Sequence, residues 1–309
     1  MSDRFTAAPR IAFGFILIAV STVLHATPLL TLALLKFIVP LASVRAAISR
    51  ALVLIAESWI AINSALIRSF ARTHIDVEGL DGLRRDGRYL VICNHQSWVD
   101  IPFLQSIFNR RIPFLRFFLK SELIWVPVLG LAWWALDFPF MKRYPRELLE
   151  QRPELRGKDL EATRKACAKY RDLPVSVTNF VEGTRFTRAK HARQQSPYEH
   201  LLLPRAGGLA FVLEAMGEQL DAIIDVTLFY PHGKPDVLDL MAGRVREVRA
   251  RVRRVAVPRG LLGGDYQNDA AFRERFQSWL NGLWADKDQC LAREAERASG
   301  AATAIAPAS

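Results

Sequence analysis

Between residues 11 and 35 this chain carries no formally charged side chain, and apolar character resumes after Lys36 as far as Leu41. About twenty apolar residues suffice to cross the hydrocarbon core of a bilayer. The stretch is too long for the core of a cleaved signal peptide, so it reads as a retained anchor. Pro28 interrupts it, Arg4 and Arg10 precede it, and Arg45 and Arg50 follow. Positive flanks on both sides favour a hairpin or interfacial pair with both ends cytoplasmic, rather than one simple span. Each half would hold about seventeen residues, roughly 25 Å of helix, which is short for a full crossing. A two-span hairpin and a shallow re-entrant anchor both stay open. Leu52, Ile55, Trp59, Ile62, Leu66 and Phe70 then recur at three- and four-residue steps. That spacing predicts an amphipathic helix lying either on lipid or on the rest of the protein.

After Thr73 the pattern changes to short strands and helices. Residues 74–77, 89–92, 112–118, 174–180 and 223–229 read as strands, and 79–82 as a turn. Residues 101–108, 145–149, 158–170 and 209–216 read as helices. Strands separated by helices indicate an α/β domain with its site at strand ends. Residues 187–200 are polar and predict a flexible loop over one edge of the site, with His191 and His200 solvated; His232 sits in a turn. Arg249, Arg251 and Arg253 alternate with Ala250 and Val252. They give a strand with one basic face, which either meets anionic headgroups or an acidic carrier, or protects a sheet edge by charge. Phe272, Phe276, Trp279 and Leu283 mark the inward stripe of a late helix, and the small-residue tail from Ala298 reads as disordered.

Two segments carry chemistry. The run Cys93-Asn94-His95-Gln96-Ser97-Trp98-Val99-Asp100 directly follows the strand at 89–92. It places an imidazole at a strand's carboxyl end with a carboxylate near enough to orient it, and imidazole suits proton removal near neutrality. The second segment, Glu182-Gly183-Thr184-Arg185, follows the strand at 174–180. Glycine permits a tight backbone path there, and arginine offers a planar fork of donors for phosphate or carboxylate. Taken singly, each segment also fits a surface turn.

Charge and cysteines narrow the setting. A formal net charge of +11 suggests polyanionic partners, namely nucleic acid, anionic lipid or acidic substrates. No zinc-finger spacing or RNA-binding signature accompanies it, so nucleic acid is not expected. Cys93, Cys167 and Cys290 are widely spaced and odd in number, which argues against a disulfide framework. Cys93 reads as a small apolar residue ending a core strand rather than a nucleophile.

Together the two segments resemble the H-x4-D and E-G-T-R blocks of the lysophospholipid acyltransferases. The resemblance extends through Lys120-Ser121-Glu122-Leu123, Trp125-Val126-Pro127, Asp137-Phe138-Pro139-Phe140-Met141-Lys142-Arg143 and Leu202-Leu203-Pro204-Arg205-Ala206-Gly207-Gly208, covering about residues 75–285. It is nearest the bacterial inner-membrane branch akin to 1-acylglycerol-3-phosphate acyltransferases. One departure is the family's proline-rich fourth block, here Ala222-Ile223-Ile224-Asp225-Val226-Thr227 without proline.

The resemblance implies an α/β fold, a mixed sheet flanked by helices, behind an N-terminal helical membrane anchor. The expected division is 1–72 for the membrane hairpin and amphipathic helix, 73–290 for the catalytic domain and 291–309 for a disordered tail. It implies acyl transfer from acyl-CoA or acyl carrier protein to the free hydroxyl of a lysophospholipid at a membrane. His95 would be the general base and Asp100 its orienting partner. Arg143 and Arg185 would hold phosphate, Glu182, Gly183 and Thr184 would shape the pocket, and Lys120 and Arg205 are further substrate-binding candidates. No metal or cofactor is expected, because a base activates the hydroxyl and arginines bind the phosphate. The acceptor implied is 1-acylglycerol-3-phosphate; remodelling of another lysophospholipid such as lysophosphatidylglycerol, thioester hydrolysis and a non-catalytic lipid-recruiting role are the competing readings.

Overall fold

The structure, a computed structural model, describes residues 2–141, 152, 158–170 and 173–305. Its first two elements are helices α1 (Ser2–Ile38) and α2 (Ala42–Ala71), joined by three residues. Pro28 does not divide the apolar run as expected; it lies inside α1. The chain reverses at Pro40 instead, which cannot donate to the helix and disfavours helical backbone at Val39 before it. The hairpin is therefore α1 against α2. Trp59 Nε1 donates to Thr22 Oγ1 at 3.2 Å, and His25 Nε2 faces Ser58 Oγ at 3.4 Å, which fixes the antiparallel register. Segments Ala8–Ile38 and Ala42–Ser69 are each long and apolar enough to cross a membrane by length and composition.

The hairpin is also docked along the rest of the protein. Arg10 lies against Gly243, and Lys36, about 39 Å further along a straight helix, reaches Asp137 at 3.4 Å. Glu57, buried in α2, is paired with Arg85 at 2.5 Å. The buried face of α2 runs through Ile48, Leu52, Ala56, Ile60, Ile67 and Ala71. It is rotated from the predicted stripe, whose Ile62 is exposed; the Phe70 side chain is outside the described residues. The outer face of α1 exposes Phe13, Ile16, Val20, Leu24, Leu34 and Phe37. A contiguous apolar face of this kind marks an interaction surface, and it suits lipid.

The strands are β1 (His74–Glu78), β2 (Arg88–Cys93), β3 (Leu115–Phe117), β4 (Leu119–Lys120), β5 (Phe140–Met141), β6 (Val175–Phe180), β7 (Ala222–Phe229) and β8 (Glu247–Val255). Six of them form one sheet in the order β1-β8-β7-β2-β6-β3, while β4 and β5 pair separately. All ladders are parallel except β7–β8, so the sheet is mixed. Strand β2 is buried on both faces, as its unbroken apolar run requires. Tyr89, Val91 and Cys93 join the layer built by the hairpin with α3 (Asp100–Phe108) and α4 (Leu129–Ala135). Leu90 and Ile92 face α5 (Lys158–Ala168) and two later helices, α7 (Ala206–Met216) and α9 (Ala270–Ile305). Between these last helices and β6 lies α6 (Arg188–Gln194), and α8 (Val237–Met241) follows β7.

Several expectations change. The polar segment 187–200 holds α6 rather than an open loop, because Thr187 caps it by accepting from the Lys190 N–H at 3.2 Å. His191 there is a structural residue, its Nε2 lying 2.6 Å from Tyr198 O. The arginines of β8 do not guard an edge, since β8 lies between β1 and β7, and all three are engaged by acids of the protein itself. Arg249 and Arg251 pair with buried Glu294, and Arg253 with Asp225 and Asp286. Asp225, in the departing fourth block, is also held by buried Lys287 at 2.5 Å. The expected tail at 291–309 is helical through Ile305, since Leu291 and Glu294 are anchored in the interior and carry α9 onward. The helix expected at 145–149 lies outside the described residues.

Candidate active site

Parallel pairing of β2 with β6 and β7 sets Cys93 opposite Phe180 and Val226. The loops after these three strands therefore leave the sheet side by side, at the carboxyl ends where open α/β sheets bind ligands. The first loop carries His95, the second Glu182 to Arg185, and the third Tyr230 to Pro235.

His95 Nδ1 lies 2.8 Å from Asp100 Oδ2. Facing a carboxylate, Nδ1 carries the proton and Nε2 keeps its lone pair. The ring stacks on Phe180 with centroids 4.1 Å apart and remains 16% exposed, enough for a ligand to reach it. Asp100 is fully buried at the N-terminus of α3, where the helix dipole favours a negative charge. Its Oδ2 also accepts the Gln96 and Ser97 N–H groups at 2.7 and 2.9 Å, and its Oδ1 accepts the Tyr230 hydroxyl at 2.6 Å. Burial holds the Tyr230 phenol well above its ordinary range, so it stays a donor. The H-x4-D spacing thus wraps one turn around a single carboxylate, which the backbone, the imidazole and a phenol all address.

The second loop holds the first in place. Glu182 is buried, with Oε1 accepting the His95 N–H at 2.8 Å and Oε2 the Leu202 N–H at 3.0 Å. Burial pushes its carboxyl up to about 7 despite those two donors. Glu182 is accordingly a strut under the His95 loop rather than a substrate contact. Gly183 takes φ +68° and donates to Phe180 O at 2.8 Å, closing the tight turn its sequence position suggested. Thr184 Oγ1 and the Arg185 carbonyl accept from Lys190 Nζ at 2.7 and 3.0 Å, and Phe186 N–H donates to His95 O at 2.8 Å. Arg185 itself lies 3.5 Å from the centre of the Trp98 ring, so the two loops also meet as cation and aromatic face.

The remaining candidates divide. Arg205 is exposed at the start of α7, its backbone N–H tied to Val181 O at 2.9 Å. Lys120 is exposed on β4, in register with Met141, and makes no contact with the His95–Asp100 pair among the described residues. Arg143 lies outside the described residues. Cys93 is fully buried and its thiol is held well above the ordinary range by burial, as a core residue should be.

Three contributors were not read from the sequence. Asn94 bridges to β7, donating to Leu228 O at 2.9 Å and accepting from Leu228 N–H at 2.8 Å. Tyr230 supports Asp100. Lys234 places its ammonium 3.1 Å from the Phe186 ring centre, and burial lowers it to about 8. The available signal was positional: the third loop follows a buried strand just as the first two do.

Apolar space adjoins this centre. A cavity of about 300 Å³ is lined by Trp98 and Val99 at one side and by Trp59, Ile60 and Ile101 toward the hairpin. A second, of about 150 Å³, shares Trp59, Ile60, Ile101 and Gln105 and continues to Leu29, Phe114 and Phe138. The hairpin thus forms a wall of the interior beside the site.

A family model described as Acyltransferase matches residues 74–230. Lysocardiolipin acyltransferase 1 of Danio rerio is 28% identical over 77% of this chain and 60% of its own length. The 1-acyl-sn-glycerol-3-phosphate acyltransferase delta of Mus musculus is 26% identical over 64% of this chain and 51% of its own. The chain thus spans roughly half to three-fifths of the length of these curated relatives. The crystal structure of the 1-acyl-sn-glycerophosphate (LPA) acyltransferase PlsC from Thermotoga maritima superposes with TM-score 0.54 at 15% identity, covering 92% of this chain and 98% of that one. That likeness establishes the shared fold, a mixed sheet flanked by helices.

Proposed function

The chain belongs to the Acyltransferase family, and from that premise we propose that it transfers a fatty acyl group from a thioester donor to the free hydroxyl of a lysophospholipid, with 1-acylglycerol-3-phosphate as acceptor and phosphatidic acid as product. The observation that carries this reading is the imidazole of His95, fixed by Asp100 and partly exposed, on a loop whose Trp98 meets both Arg185 and an apolar cavity.

An alcohol is a weak nucleophile, so its proton must leave as attack develops. His95 Nε2 takes that proton, and the freed oxygen attacks the thioester carbonyl. The tetrahedral adduct collapses to the new ester as the C–S bond breaks, and the imidazolium returns the proton to the departing thiolate. Asp100 stabilises the transient positive ring, as the carboxylate does in a Ser-His-Asp triad, but here the substrate supplies the hydroxyl. Arg185 would hold the acceptor's phosphate by charge-assisted hydrogen bonds. The linked cavities beside Trp98 offer acyl chains a dry path towards the hairpin.

The exposed apolar face of α1 and the docking of the hairpin along the domain support an anchor lying in the membrane surface. Arginines at both ends of the run favour the cytoplasmic side of the cell's inner membrane. The test is mass spectrometry of products from the purified protein given mixed lysolipids with acyl-CoA or acyl-loaded carrier protein. Acylated lysophosphatidate as the main product supports the proposal; free fatty acid alone would replace it with hydrolysis.

A further inference from the structure

We propose that Lys234 is a second cation of the acceptor's phosphate site and makes that site prefer a phosphomonoester headgroup over a phosphodiester. The inference rests on the acyltransfer reading above and extends it to a residue outside the motifs of the sequence.

Arg185 and Lys234 come from different loops, yet each is held on an aromatic face, Trp98 and Phe186 respectively. Among the described residues neither has a carboxylate within ion-pair distance. The acids that influence Lys234 from further away are already engaged. Asp100 accepts four hydrogen bonds, and Glu182 accepts one backbone N–H on each oxygen. The other charged group acting on Lys234 is Arg188, which adds positive charge. Two cations without acidic partners, carried on the loops that follow β6 and β7, make a site that lacks its counter-charge.

The distance to the reacting atom selects which phosphate supplies it. In a glycerol phosphate the phosphorus is only a few bonds from the hydroxyl that His95 would deprotonate. In a thioester donor the first phosphate sits at the far end of the pantetheine arm. Cations on loops that touch the His95 loop, through Trp98 and through the Phe186 N–H on His95 O, therefore suit the acceptor. A phosphomonoester carries about −1.5 to −2 charge at neutral pH, against a single charge on a phosphodiester. Two cations match the former.

The experiment measures steady-state kinetics of the full-length protein, its Lys234→Met variant and its Lys234→Arg variant. Lysophosphatidate and lysophosphatidylglycerol are presented as acceptors in phosphatidylcholine vesicles. Lys234→Met should raise KM for lysophosphatidate about tenfold, the loss of one charge-assisted contact, with little change in kcat. Lysophosphatidylglycerol kinetics should change little, and Lys234→Arg should restore the preference. An equal loss on both acceptors, or a rise in the KM of the thioester instead, would overturn the assignment. A wild-type protein that acylates no lysophospholipid would sink the underlying reading; a wild-type that does so, with an acceptor preference indifferent to Lys234→Met, would sink this inference alone.

Discussion

Glu182 Oε1 accepts the backbone N–H of His95 at 2.8 Å, so the acid of the second motif holds up the base of the first. With its other oxygen on Leu202 N–H, this one side chain ties the β6 turn to both the His95 loop and the segment that leads into α7. The two motifs are thus one mechanical unit, and the cost of disturbing either should appear in both.

Glu182→Gln keeps the shape but turns one acceptor into a donor, leaving a buried N–H without a partner. Such losses cost about 1–3 kcal/mol, and kcat should fall because His95 is displaced. Chemical denaturation together with turnover checks both effects.

A pH dependence follows from the same residue. The folded carboxyl keeps its proton up to about pH 7, whereas the ordinary value is 4.5. Between those values the folded state binds the extra proton, so Glu182's contribution to stability is full below about 4.5 and declines as pH rises through 7. Denaturation midpoints across this window should show a decline in wild type that Glu182→Gln removes. An identical pH dependence in both proteins would contradict the assignment.

Tyr230→Phe deletes the donor to Asp100 Oδ1. The expected result is a fall in kcat of about tenfold with acceptor KM nearly unchanged, because Tyr230 acts on the carboxylate that steadies the base. A change confined to KM would place Tyr230 in substrate binding instead.

Arg185→Ala should raise the KM for a phosphorylated acceptor by about tenfold or more. Arg185→Lys should recover little of it, since an ammonium neither forks to phosphate nor spreads over Trp98 as a guanidinium does. Acceptor titrations at fixed thioester concentration measure this.

The sequence made much of this site legible because its chemistry sits directly after strands, and strands with unbroken apolar runs are easy to recognise. His95, Asp100 and the turn at Gly183 were visible for that reason. Tyr230, Asn94 and Lys234 were not, because their partners are set by strand order: only when β7 lies next to β2 does Tyr230 reach Asp100. The hairpin was read one proline too early. Pro28 and Pro40 look alike in a string, but only Pro40 falls where the chain must reverse before α2. The β8 arginines were misread for a related reason, since Glu294 and Asp286 lie some forty residues away on α9.

The most direct measurement follows thiol release from an acyl thioester by the purified protein, with and without lysophosphatidate, in wild type and His95→Ala. Release that requires the acceptor, and that falls at least about a hundredfold in the folded variant, is the expected result. Acceptor-independent release, or near-normal release from His95→Ala, would contradict a base that deprotonates the incoming glycerol hydroxyl.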